Sequence, residues 1–157
     1  MTRIRVTTVI RAPRSQVWAA IRDIARHVDW MEDAVAIRFT SPRTSGVGTT
    51  FDCDTRVGPL RLTDRMEVTE WREGRTMGIR HVGVVTGTGR FTLGRGGFRS
   101  TRFTWTEELR FPWWLGGSVA AALARPVLHR VWARNLRNLR SRIELRQDGA
   151  GSGAVVP

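Results

Sequence analysis

The stretch SVAAALARPVLHRVWARNLRNLRSRIELR, residues 118–146, carries apolar side chains at helical spacing. From Leu128 onward, Trp132, Asn135, Leu136, Leu139 and Ile143 share one face, while Arg130, Arg134 and Arg137 lie on the other. Such a helix covers something apolar. A helix of roughly twenty residues spans about 30 Å, enough to cross the concave side of a seven-stranded sheet. Pro126 lacks a backbone N–H and predicts a kink or a restart inside this segment.

Upstream the period is two. Residues 3–11 alternate as a strand, with Ile4, Val6, Thr8 and Ile10 on one face, and Ala12-Pro13 stops it. Ser15–Asp23 places Val17, Trp18 and Ile21 at helical spacing, and a second short amphipathic piece runs from Ile24 to Met31. Six more strands are predicted at about 34–41, 47–57, 60–71, 76–85, 86–94 and 100–111. Their connections carry turn chemistry, from Ser41-Pro42 to Gly46, then Gly58-Pro59, Glu73-Gly74 and Gly94-Arg95-Gly96-Gly97. Short turns between consecutive strands mean an antiparallel meander. The expected fold class is therefore α+β, one domain over residues 1–146, with a glycine-rich, disordered tail at 147–157.

The 157 residues suit a single domain, and no window approaches the roughly 18 consecutive apolar residues of a transmembrane helix. Met1 to Val6 alternates apolar with polar or charged residues, unlike a secretory signal, which predicts a cytoplasmic protein. One cysteine, Cys53, excludes an intrachain disulfide and a cysteine-rich zinc site. The net charge of +12 comes wholly from arginine, since the chain has no lysine. Schiff-base lysine chemistry is thereby excluded, and the absence of tyrosine excludes a tyrosine acid. Half the excess sits on residues 118–146, where seven arginines face one acid, Glu144. Such a charge favours anionic partners non-specifically. An all-arginine composition also reflects a GC-rich coding sequence, which weakens the case for a specific nucleic-acid partner.

Ile10-Arg11-Ala12-Pro13, then Val17-Trp18 and Asp23, then His27 and Trp30, precede Gly46-Val47-Gly48-Thr49 at the entrance to a strand. Thr101-Arg102-Phe103-Thr104-Trp105 and Leu136-Arg137-Asn138-Leu139 with Glu144 follow in order. Over residues 3–145 this series resembles the START-related, helix-grip superfamily (SRPBCC-like), and within it the bacterial polyketide cyclase/dehydrase and lipid-transport group. The resemblance implies a curved antiparallel sheet gripping a long C-terminal helix, with a hydrophobic ligand held between them. It carries over no catalytic residue, because the matched positions are structural. Whether the ligand is transformed varies among members.

Strand phase predicts what faces the cavity. Phe51 and Cys53, Met66 and Val68, Met77 and Ile79, Phe91, and Phe103 and Trp105 share the inward parity, which also brings in Asp64, His81 and Glu107. Two readings apply to these three: ionised groups at strand ends paired with arginines such as Arg65 or Arg80, or pocket acids, bases and hydrogen-bond partners. The expected cavity wall is Trp30, Phe51, Met66, Ile79, His81, Phe91, Phe103, Trp105, Trp132 and Leu136. His129 and Asn135 border the apolar stripe of the last helix, while His27 is read as a packing or capping residue. The three histidines stand on separate elements without ligand spacing, so no metal is expected. Gly87-Thr88-Gly89 is no dinucleotide fingerprint, because Thr92 replaces the third glycine and no helix follows; no cofactor is expected. Trp113 and Trp114 are read as packing under the start of the last helix, or as a lip or anchor at a membrane surface.

Three functions are thus in view. The first is binding of a hydrophobic small molecule such as a lipid or polyketide-like compound. The second is cyclase/dehydrase-type catalysis through Asp64, His81 or Glu107. The third is a transient contact of the arginine-rich helix with an anionic membrane or nucleic acid. Oligomeric state is not legible.

Overall fold

In the computed structural model, which describes residues 1–151, the chain opens with strand β1 (Thr2–Ile10), helix α1 (Arg14–Ile21) and a 3-10 turn at Ile24–Asp29. Six strands follow: β2 (Ala34–Phe39), β3 (Thr50–Val57), β4 (Leu60–Arg72), β5 (Thr76–Val82), β6 (Thr86–Gly97) and β7 (Ser100–Arg110). A 3-10 turn at Trp113–Leu115 leads into the long helix α2 (Gly117–Gly151).

The seven strands form one antiparallel sheet in the order β1-β7-β6-β5-β4-β3-β2. Strands β1 and β2 are successive in sequence yet occupy opposite edges, so α1 and the first 3-10 turn span the width of the sheet between them. Register shifts in β2, β4 and β6 mark bulges, which bend strands and strengthen their twist. The helix-grip expectation holds: the sheet curves, and α2 lies across its concave side.

On β1 the burial alternates as the sequence predicts, with Ile4, Val6 and Ile10 inside. They join Leu136, Leu139 and Ile143 of α2 in the core. At the end of β1, the Arg11 backbone N–H donates to Glu144 Oε1 at 2.8 Å, fixing the distal part of α2 to this edge. Helix α1 contributes Val17, Trp18 and Ile21 to the same core, and Trp18 meets Trp71 of β4 edge to face at 5.2 Å.

Several boundaries differ from expectation for local physical reasons. The second short helix is 3-10 rather than α. Helix α2 passes through Pro126 without a break and continues to Gly151, so residues 147–151 are helical where a tail was expected; residues 152–157 lie outside the described residues. Gly94-Arg95-Gly96-Gly97 is not the hairpin turn. Strand β6 runs on through it, and the loop is Phe98-Arg99, with Gly97 paired to Ser100. The glycine at 96 serves close approach, because a Cβ there would stand 2.8 Å from the Thr101 carbonyl carbon.

Candidate functional site

A cavity of about 330 Å³ lies between the sheet and the first half of α2. Its wall is apolar over most of its area, with Phe51, Met66, Ile79 and Phe91 from the strands and Leu128 and Trp132 from the helix. The Trp105 and Trp132 rings stack at 5.3 Å, joining β7 to α2 across one end of the space. The volume falls within the roughly 300–1,000 Å³ of small-molecule sites.

The inward phase of β4, β5 and β7 brings Asp64, His81 and Glu107 together on the cavity wall, each of them buried. The His81 ring lies between the two carboxylates. Its Nδ1–H donates to Asp64 Oδ2 in a short hydrogen bond, and its Nε2–H donates to Glu107 Oε2 at 3.1 Å. The indole N–H of Trp105 donates to the other Glu107 oxygen, Oε1, at 2.9 Å. Burial alone disfavours the charged imidazole, but the hydrogen bonds and charges of Asp64 and Glu107 prevail and raise His81 to about 10. At neutral pH the His81 ring is an imidazolium, held between Asp64 and Glu107.

Two glycines make the room for this cluster, Gly89 in β6 and Gly83 in the turn between β5 and β6. A Cβ on Gly89 would come within 2.5 Å of Glu107 Oε1, and one on Gly83 would come within 3.1 Å of Asp64 Oδ1. Gly89 pairs directly with Glu107 across β6 and β7, so the carboxylate folds over a residue without a side chain. Asp64 Oδ1 is buried and has no hydrogen-bond partner among the described residues. Burying such an acceptor unpaired costs on the order of 1–3 kcal/mol.

Two further polar groups line the space. Asp33, which sequence reasoning missed, accepts from Asn135 Nδ2 at 2.6 Å; burial pushes its carboxyl above the ordinary carboxylate range, against the pull of Asn135. The signal was an acid immediately before an apolar strand, opposite the polar residue on the buried stripe of α2. His27 places Nε2 2.7 Å from the Ile21 carbonyl, which fixes Nε2 as the donor and leaves Nδ1 as an acceptor. Burial lowers His27 to about 4 despite that bond, so the ring is neutral. Cys53 also faces the cavity, its thiol pushed up to about 11 by burial.

Of the expected wall, Phe51, Met66, Ile79, His81, Phe91, Trp105 and Trp132 line the cavity. Trp30, Phe103 and Leu136 do not; all three are buried in the solid core instead. Parity assigns a residue to the inner face, whereas depth depends on the helix above it. Leu136 belongs to the part of α2 that packs onto the sheet, and Phe103 lies beside Thr8 of β1 at that closed side. Trp30 stands behind Phe91 and Trp105, with ring centroids 6.1 and 6.2 Å away. His129 is exposed and does not reach the cavity. Asn135 is fully buried and bonded at both ends of its amide, accepting from the Glu32 backbone N–H at 2.9 Å while donating to Asp33. Trp113 and Trp114 are 86% and 59% exposed, so they do not pack under the helix. Gly116, with φ +87, turns the chain into α2 and leaves both rings outside.

Among the described residues no helix is long and apolar enough to cross a membrane, and no group of ligating side chains is placed to hold a metal ion.

Solved structures share the fold. A START superfamily protein from Mycobacterium smegmatis superposes with a TM-score of 0.74 at 12% identity, over 92% of this chain and 99% of that one. Zhui aromatase/cyclase from Streptomyces sp. R1128 gives 0.69 at 19% identity, over 95% and 97%. The di-domain StfQ of the steffimycin biosynthetic pathway gives 0.77 at 13% identity, over 94% of this chain and 52% of that one. No curated protein matches the sequence. The model of the family described as polyketide cyclase / dehydrase and lipid transport matches residues 1–144, and the chain belongs to that family.

Proposed function

We propose that the protein binds a hydrophobic small molecule, such as a lipid or a polyketide-like compound, in the space between the sheet and α2. The observation that carries this reading is the cavity of about 330 Å³ itself, apolar over most of its wall and marked by one polar cluster. Cyclase/dehydrase-type turnover needs a group that takes and returns a proton near neutral pH. His81, raised to about 10 and bonded at both ring nitrogens, is a poor carrier, so binding without transformation is favoured. Native mass spectrometry of the purified protein tests the reading. A co-purified apolar compound is expected in the wild type and absent in Met66→Trp, whose indole occupies the cavity. Identical ligand-free spectra, together with no uptake of the neutral dye Nile red, would overturn it.

A second reading concerns the surface. Val119, Leu123 and Val127 recur at intervals of four on the exposed side of α2, next to Trp113 and Trp114. Arg130 and Arg134 continue the same side one and two turns on. Val127 also lines the cavity. This arrangement fits an anionic bilayer: tryptophan and aliphatic groups enter the interface and arginines meet the headgroups. A net charge of +12 opposes pairing of two copies through the same face, and the apolar stripe suits no nucleic acid. Sedimentation with phosphatidylglycerol/phosphatidylcholine vesicles is expected to pellet the wild type, and Trp113→Ala/Leu123→Ser at least tenfold less. Equal pelleting of both, or a Leu123-dependent dimer in solution without vesicle binding, would refute it.

A further inference from the structure

Asp33 stands apart from the other acids on the cavity wall. Asp64 and Glu107 are buried against the His81 imidazolium, whereas Asp33 is only part-buried and pairs with no cation among the described residues. The arginine on this side of α2, Arg134, reaches the preceding residue Glu32 at 3.4 Å. Just before β2, the Asp33 backbone carbonyl accepts the Arg56 N–H at 2.8 Å, which fixes the residue on the end of β3. Its carboxyl is oriented by an amide that cannot turn over, because Asn135 Oδ1 accepts from the Glu32 backbone N–H and commits Nδ2 to donate to Asp33 Oδ1 at 2.6 Å. The Trp132 indole N–H adds a weaker pull. Both partners are neutral.

The groups that face Asp33 from the surrounding elements leave its anion poorly supported. From β7 the Glu107 carboxyl disfavours the charge, from β3 comes the Cys53 thiol, pushed up to about 11, and α2 offers only the indole and the amide. Farther along the wall, His81 stays charged up to about 10 with both nitrogens bonded to Asp64 and Glu107, and His27 is neutral above about 4. Arg90 turns its guanidinium outward to Glu70 at 2.9 Å, and the Arg56 side chain is exposed.

We infer that Asp33 couples the cavity to pH: a neutral apolar ligand enters with uptake of a proton on this carboxyl and is released as the pH rises. The inference rests on the ligand-binding reading and adds a regulating residue to it. Water that enters the space solvates an ionised carboxylate on its wall, and an apolar ligand that displaces this water strips the anion of that solvation. A protonated carboxyl loses far less. Burial already holds Asp33 above the ordinary carboxylate range, and a bound ligand extends the same effect. The sign follows from linkage. With the bound-state pKa above the free-state value, affinity is greatest below the free-state value and falls as the pH passes between the two, by at most about tenfold per pH unit for one proton. Above the bound-state value it levels off.

Nile red carries no charge and does not titrate, so its fluorescence titration from pH 5 to 8 at constant ionic strength reads the coupling directly. The wild-type dissociation constant is expected to rise at least threefold across that range. Asp33→Asn keeps an oxygen for Asn135 and cannot ionise, so its dissociation constant is expected to stay level; Asp33→Ser serves the same purpose if the amide variant folds poorly. A wild-type affinity that is flat or that rises with pH overturns the inference while leaving the cavity reading intact. A wild-type fall retained in full by Asp33→Asn or Asp33→Ser also overturns it, since the proton then binds elsewhere. Failure of Nile red to bind at any pH overturns both. Because the wild-type profile can refute the proposal alone, a poorly folded variant does not protect it.

Discussion

Without lysine or tyrosine, this chain has few groups that titrate between pH 8 and 11, which makes His81 separately observable. The ring is raised from its ordinary 6.5 to about 10 because Asp64 and Glu107 outweigh the cost of burial. A group whose folded pKa lies above its unfolded value contributes stability that is complete below about pH 6.5 and is lost as pH rises through about 10. At about 1.36 kcal/mol per pKa unit, the difference between 6.5 and 10 corresponds to on the order of 5 kcal/mol. Between pH 7.5 and 9.5 the folded state holds one proton more than the unfolded state, so stability should fall by about 1.4 kcal/mol per pH unit. Urea unfolding followed by tryptophan fluorescence from pH 6 to 10.5 measures this slope. Cys53, raised from its ordinary 9 to about 11 by burial, adds a fall of its own only above about pH 9, so the slope between pH 7.5 and 9 belongs to His81. His81→Gln should be less stable at pH 7 and nearly flat between pH 7.5 and 9, with only the Cys53 fall above that. A wild-type profile that is flat from pH 7 to 9.5 would refute the doubly bonded imidazolium.

Gly89→Ala places a Cβ within 2.5 Å of Glu107 Oε1, so the carboxylate must move and the alkaline slope should shift to lower pH; an unchanged slope would show that Glu107 does not hold His81. Leu136→Ala should cost about 2–5 kcal/mol while leaving Nile red affinity unchanged, because Leu136 is buried outside the cavity. Trp132→Ala should both destabilise by about 3–5 kcal/mol and weaken the dye at least fivefold, since that ring stacks on Trp105 and lines the wall. A loss under about 0.5 kcal/mol in either variant would mean that α2 presents a different face to the sheet. Glu107→Gln and Asp64→Asn should alter ligand preference without abolishing any turnover, and loss of turnover with retained binding would instead favour the enzyme.

How far the sequence carried the reading depends on which physical quantity each step needed. Period is a property of neighbouring residues, so the switch from two to 3.6 after Trp114 located the sheet and the gripping helix, and alternation on β1 named Ile4, Val6 and Ile10 as core. Parity also brought Asp64, His81 and Glu107 to one face, but it did not reveal that the histidine sits between the two acids. That arrangement depends on register: Asp64 lies two residues from Met66, which pairs with His81, and Glu107 pairs with Gly89, which pairs with Ile79. Depth was inaccessible in the same way. Trp30, Phe103 and Leu136 obey the same inward pattern as the wall residues, and only the close seating of the distal half of α2 separates core from cavity.

The glycines carried more information than turn chemistry extracted from them. Turn chemistry assigns Gly96 to a hairpin, and Gly87 and Gly89 enter the sequence reading only through a nucleotide fingerprint that fails. Inside a strand, however, a glycine marks a place where something approaches the backbone. Gly87, at φ +147, has the Glu108 carbonyl oxygen where a Cβ would be, and Gly89 has the Glu107 carboxylate there. Gly83 stands against Asp64 in the same manner. Two acids of the inward phase are thus each accommodated by a missing side chain on a neighbouring segment. A carboxylate that folds flat against the sheet is held beside its partner instead of reaching for water, which is what lets His81 bond both at once. An inward acid against a glycine of the sheet or its turns is therefore a readable sign of a buried, fixed carboxylate. In this chain it distinguishes Asp64 and Glu107 from acids such as Glu67 and Asp52, which pair with arginines on the outer face.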